Sequence, residues 1–184
     1  MAAHPSDIVT YWRNAGPTKW FAHVPAFDEA IRLKFEPVHF AAARGQYDRW
    51  ASEPYGALAL ILLLDQFPRN LFRGSGHAFA TDPLARAFAG KAIDDGFDRE
   101  VGPVLRPFSY LPFEHSEDPA DQARSMVLHQ TLAEETGDRD SLKWAAQHRD
   151  IIARFGRFPH RNKALGRAMT VAEKLFLDEG GFAG

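Results

Sequence analysis

Apolar residues recur at intervals of three and four along most of this chain. Phe27, Ile31, Phe35, Val38 and Ala42 form one such stripe, the mark of an amphipathic helix with one face toward a core. Pro37 falls inside the stripe and predicts a kink or restart, and Gly45 ends it. Upstream, Ser6 or Asp7 is placed to cap a first helix bearing Ile8, Val9, Tyr11 and Trp12, which Gly16-Pro17 closes. Downstream, Pro54 opens a segment in which Ala57 to Leu64 is apolar on every side. Its Leu and Ala content favours helix over strand, and a helix without a polar face belongs in the middle of a domain. Phe67-Pro68 predicts that this helix stops at Leu64.

Later elements announce themselves by their ends. Thr81-Asp82-Pro83 predicts a helix capped by Asp82 and closed near Gly96. The prolines from Pro103 to Pro112 predict short turns. Asp118-Pro119 opens a helix that reaches Gly137, and Asp138 or Asp140 opens another that stops at Phe155-Gly156. A short helix with Ala172, Leu175 and Phe176 closes the pattern. No alternating Val/Ile/Thr run flanks a hairpin turn. The expectation is one all-α domain over residues 1–184, with about seven to nine helices in two antiparallel layers around the helix ending at Leu64.

Composition narrows the chemistry. The chain has 184 residues, 45% of them apolar, enough for a sizeable core. With 22 basic and 24 acidic residues the net charge is -2, so bulk charge does not hold it to nucleic acid. There is no cysteine, which excludes disulfides, thiolate metal sites and thiol nucleophiles. The longest apolar run is far short of the roughly 20 residues that span a bilayer. The opening residues lack the pattern of a signal peptide. A cytoplasmic protein is expected, with no cofactor and with neither nucleic acid nor membrane as partner.

One echo stands out. Asp65-Gln66-Phe67-Pro68-Arg69-Asn70 follows the apolar helix, and Arg157-Phe158-Pro159-His160-Arg161-Asn162 follows the last long one. Arg73 and Arg167 come soon after each. Together with Leu111-Pro-Phe-Glu-His-Ser-Glu-Asp118, Ala78-Phe-Ala-Thr-Asp-Pro-Leu-Ala85 and Leu165-Gly166-Arg167, these stretches resemble the bacterial family named domain of unknown function 924. The resemblance runs from about Ile8 to Phe182. It implies a helical, tetratricopeptide-like fold and no established reaction.

Candidate chemistry gathers around these segments. Trp144, His148, Ile151 and Phe155 share a helical stripe, so His148 is expected to face the core, either as a hydrogen-bonded buried group or as a base in a cleft. On the opposite stripe, Asp150 and Arg154 are spaced to pair. His115 stands among Glu114, Glu117, Asp118 and Asp121. It can act with Asp118 as a proton carrier, although Asp118 is equally placed to cap a helix. No spaced histidine pair accompanies it, and no metal is assigned. Asp65 ends an apolar helix and needs a partner, with Arg69 four residues on. His4, His23, His39, His77 and His129 read as surface or incidental.

The arginines carry the leading hypothesis. Asp65, Arg69, Asn70, Arg73, Arg157, His160, Arg161 and Asn162 are read as lining a pocket for a small phosphate or carboxylate, if the two corners meet. One alternative is a tetratricopeptide-like scaffold that docks an acidic peptide or protein. The other is a structural network in which Asp65, Glu114, Glu117, Asp118 and Asp121 neutralise the arginines.

Overall fold

The computed structural model describes residues 3–183, which fold into α-helices, short 3-10 turns and a π turn, with no β-strand among them. The all-α reading of the stripes holds. Backbone contacts gather the chain into two compact units. One takes the chain up to Arg73 together with His77–Pro112. The other takes Gly74–Gly76 and the chain from Phe113 onward.

In the first unit, α1 (Pro5–Ala15), α2 (Pro17–Trp20) and α3 (Pro25–Ala43) each begin with proline, where no N–H is needed. His4 caps α1 by accepting the Ser6 N–H, in place of the expected Ser6 or Asp7. α3 runs unbroken through Pro37. Proline removes the bond to the Leu33 carbonyl, but Leu33 and Pro37 both face solvent, where water supplies the missing donor.

α4 (Pro54–Ile61) is buried from Gly56 onward and forms the middle of this unit, as its lack of a polar face requires. A Cβ on Gly56 would lie 2.1 Å from the Trp50 carbonyl oxygen, so only glycine fits. The Trp12 ring packs 5.5 Å from Phe67 and 5.6 Å from Phe108.

The helix does not stop at Leu64. It widens into a π turn, Leu62–Gln66, and continues as α5 (Phe67–Leu71). The Phe67 N–H bonds to the Leu62 carbonyl, and Pro68 has no N–H to give. The carbonyls of Leu63 and Leu64 therefore take side-chain donors. His39 Nδ1 lies 2.8 Å from Leu63 O, and the Thr81 hydroxyl donates to Leu64 O at 2.6 Å. Two expectations are corrected here: Pro68 reroutes the helix instead of ending it, and His39 is a buried brace instead of an incidental histidine. Asp82 also departs from expectation. It is the first residue of α6 (Asp82–Asp94) and turns to Arg69 instead of capping.

The short α7 (Leu111–Glu114) leads into the second unit. There α8 (Pro119–Thr136) and α9 (Arg139–Phe155) are joined by Gly137, at φ 82°, and Asp138, which makes them antiparallel neighbours. Asp118 and Asp138 cap them, accepting the N–H groups of Ala120 and Ser141 at 2.8 and 3.1 Å. α9 buries Ala145, His148, Ile151 and Ile152, while Trp144 is half exposed. Asp150 pairs with its neighbour Arg149 at 2.7 Å, not with Arg154, whose guanidinium packs over Phe155 and Phe176. A 3-10 turn, Pro159–Arg161, precedes α10 (Val171–Asp178), which opens with a reciprocal cap between Thr170 and Glu173. None of the described helices is long and apolar enough to cross a membrane.

Candidate functional site

The two Phe-Pro corners spend most of their donors on carboxylates within their own units. In the first, Arg69 lies 3.3 Å from Asp65 and 3.1 Å from Asp82, and it also donates to the Asp65 carbonyl. Burial works against its charge, but the two carboxylates outweigh that and hold the guanidinium above its ordinary pKa. Asp65 is fully buried and also accepts from Gln66 at 2.5 Å. Asn70 and Arg73 together clasp Asp28, at 2.7 and 2.6 Å. In the second, Arg157 clasps Glu173 at 2.5 and 2.9 Å, with the Asn162 amide supporting the same carboxylate. Arg167 grips Glu117 at 2.7 and 3.0 Å, and the Phe158 N–H joins at 2.8 Å. Asp65 and Glu117 neutralise arginines as expected. Asp118 caps α8, Asp121 accepts from Ser116 at 2.6 Å, and Glu114 turns to histidines.

Glu114 is the centre of a different constellation. It is 2% exposed, with Oε1 3.0 Å from His148 Nδ1 and Oε2 3.2 Å from His129 Nε2. Burial pushes its carboxyl up, but His129, His148 and His115 together bring it below the ordinary glutamate range. His148 Nδ1 also lies 2.8 Å from the Trp144 carbonyl. An atom facing two acceptors carries the proton, so the neutral ring is the Nδ1–H tautomer and its lone pair is on Nε2. Burial lowers the His148 pKa most. Glu114 opposes the change, and His115 and Arg161 add to it. The result is an imidazole neutral near pH 7, oriented from behind by a buried carboxylate, which is the arrangement of a proton acceptor.

Around it stand His115, its ring 6.1 Å from that of His148, and His160, whose ring lies 5.7 Å from Phe158 and 5.2 Å from Phe182. The Arg161 guanidinium packs 4.5 Å over Phe158. Thus His115, His148, His160 and Arg161 come together, whereas Asp118, exposed at its cap, stays with its helix. Asp65, Arg69, Asn70 and Arg73 belong to the first unit. His129 was missed because it reads as a lone polar residue. Its spacing from Gln122, Ser125 and Leu132 on one face of α8 is the signal that it is buried, and it is 0% exposed. No group of three or more metal-ligating side chains is poised for a cation among the described residues. A concavity of about 790 Å³ between α1 and the start of α4 and another of about 430 Å³ along α9 have none of these residues in their walls.

Comparison with known proteins gives a family and no activity. A solved structure titled as a protein of unknown function from Agrobacterium tumefaciens is 51% identical, with a TM-score of 0.90 over 96% of this chain and 97% of that one. A search of curated proteins found no match. The family model described as "Bacterial protein of unknown function (DUF924)" matches residues 8–181, and the chain belongs to that family.

Proposed function

We propose that the second unit binds a small anionic ligand, a phosphate or a carboxylate, beside His148, and that Nε2 of this histidine accepts a proton from it or returns one. The observation that carries the reading is the pinning of His148 Nδ1 between Glu114 and the Trp144 carbonyl, at 3.0 and 2.8 Å. Both acceptors address the same nitrogen and leave Nε2 as the basic atom. Arg161 and His160, from the second Phe-Pro corner, supply cationic and donor groups, and His115 supplies a half-exposed imidazole. Arg69, Arg73, Arg157 and Arg167 clasp carboxylates, and Arg161 also acts on Glu117.

The test is thermal unfolding with inorganic phosphate and with succinate, alongside NMR of the histidine rings. An anion present at about 100 times its Kd stabilises by about 2.7 kcal/mol. Its binding shifts the His148 and His115 resonances. His115→Gln, a half-exposed position, weakens the effect without unfolding the chain. If neither anion raises Tm nor moves either ring resonance, the reading is wrong.

A further inference from the structure

Phe182 takes no part in the charges of this site, yet its ring lies against it. The segment after α10 has no regular structure and turns back through Gly181, whose N–H bonds to the Phe176 carbonyl at 2.9 Å. A Cβ on Gly181 would lie 2.5 Å from that oxygen, so glycine is what permits the return. The return brings the Phe182 ring 4.6 Å from His148 and 5.2 Å from His160, nearly edge-on to both at 64° and 83°, and 6.3 Å from Trp144. The same two imidazoles also touch Phe158, at 5.5 and 5.7 Å. Phe158 is fully buried and fixed in the core; Phe182 is half exposed. Imidazoles and an indole around one flat ring, four residues after the end of α10, form a seat for an aromatic group. Arg161, stacked on Phe158, puts a fork suited to carboxylate or phosphate in the same cluster.

We propose that this seat selects the ligand: the site takes an anionic group carried on an aromatic ring, an aryl carboxylate or aryl phosphate, and Phe182 holds the ring's place until it is displaced. The proposal rests on the anion reading above and adds the ring. A chain-borne ring competes with the incoming one, so removing it strengthens binding of aryl anions and leaves simple anions unaffected.

The experiment compares wild type, Phe182→Ala and Phe182→Leu by calorimetry and ring NMR. Probes are benzoate and phenyl phosphate, acetate and inorganic phosphate, and uncharged phenol. Phe182→Ala is expected to bind benzoate or phenyl phosphate about tenfold more tightly than wild type, the scale of two aromatic contacts. Acetate and phosphate should change less than twofold, and Phe182→Leu, which keeps bulk without a ring face, should fall between. Equal gains for aryl and simple anions, or no gain for aryl anions, overturn the proposal. If no anion binds any variant but phenol binds Phe182→Ala more tightly than wild type, the anion reading falls and with it the anionic half of this proposal, while the ring seat stands. If phenol shows no such gain either, the seat falls as well.

Discussion

Replacing Glu114 by Gln keeps the shape of the side chain and removes its charge, which makes it the sharpest probe of the histidine cluster. The carboxylate is 2% exposed and lies 3.0 and 3.2 Å from two imidazoles that are 6% and 0% exposed. Replacing a buried carboxylate that faces two imidazoles removes a charged acceptor, at a cost of about 1–3 kcal/mol. For a chain of this length that is a Tm lower by about 2–12 °C at neutral pH. The acid dependence changes as well. The Glu114 pKa is lowered in the fold, so its stabilisation is present above the ordinary glutamate value and lost as pH falls below it. His148 is lowered too; its neutral form fits the fold, so its share of stability is full above about pH 6.5 and drains as pH falls. Wild type should therefore lose stability in two stages on acidification, and Glu114→Gln should lose less in the later one, which Asp28, Glu117 and Glu173 share. Because Glu114 raises the His148 pKa more than the Trp144 carbonyl does, its removal should move that titration further down. Urea unfolding from pH 7 to 3, with NMR titration of His148, measures both. A His148 titration that rises or stays in place in Glu114→Gln would refute the assignment.

Two other substitutions test the scaffold. Thr81→Val removes the hydroxyl that donates to the Leu64 carbonyl freed by Pro68, and should cost about 1–3 kcal/mol by urea unfolding; a neutral effect would mean that the π turn satisfies this carbonyl by itself. Gly56→Ala drives a methyl group against the Trp50 backbone, where a Cβ would sit 2.1 Å from the oxygen, and should destabilise by about 3 kcal/mol, the upper end for overpacking, read as a drop in Tm.

Most helix limits were legible because they are local. Proline at first positions, glycine past last ones and stripes of period 3.6 act within a few residues of where they are read. The π turn was not legible, since its donors arrive from His39 and Thr81, far away along the chain. Phe67-Pro68 looks like a stop when only neighbouring N–H groups are counted. The same limit hid half of the candidate site. His148 could be placed on a core-facing stripe from spacing alone, and His115 could be flagged by its acidic neighbours. Glu114, however, reads in sequence only as one of the acids around His115 or as a counter-charge for arginine. Its burial comes from α8 and α9 packing over it, and a polar face on α8 gave little hint of which side was inside.

The echo between the two Phe-Pro corners acquires a physical meaning from its partners. In each, the asparagine and a nearby arginine converge on one carboxylate from a helix elsewhere in the same unit: Asn70 and Arg73 on Asp28, Asn162 and Arg157 on Glu173. A clasp of this kind anchors a helix exit where the backbone ladder ends, and it needs no ligand. What the corners share is therefore structural, and function is better sought in what they do not share. The second corner has one residue more, His160, inserted between proline and arginine. That insertion puts an imidazole against Phe158 and Phe182, next to His148, which is braced at Nδ1 by both a carboxylate and a carbonyl. Deleting His160 would make the second corner a copy of the first. By this reasoning it should leave the Arg157–Glu173 clasp and the helix content intact while abolishing the response of the His148 ring to benzoate. A deletion that instead unfolds α10, seen as lost helical circular dichroism, would return His160 to the clasp and leave the echo without a functional difference.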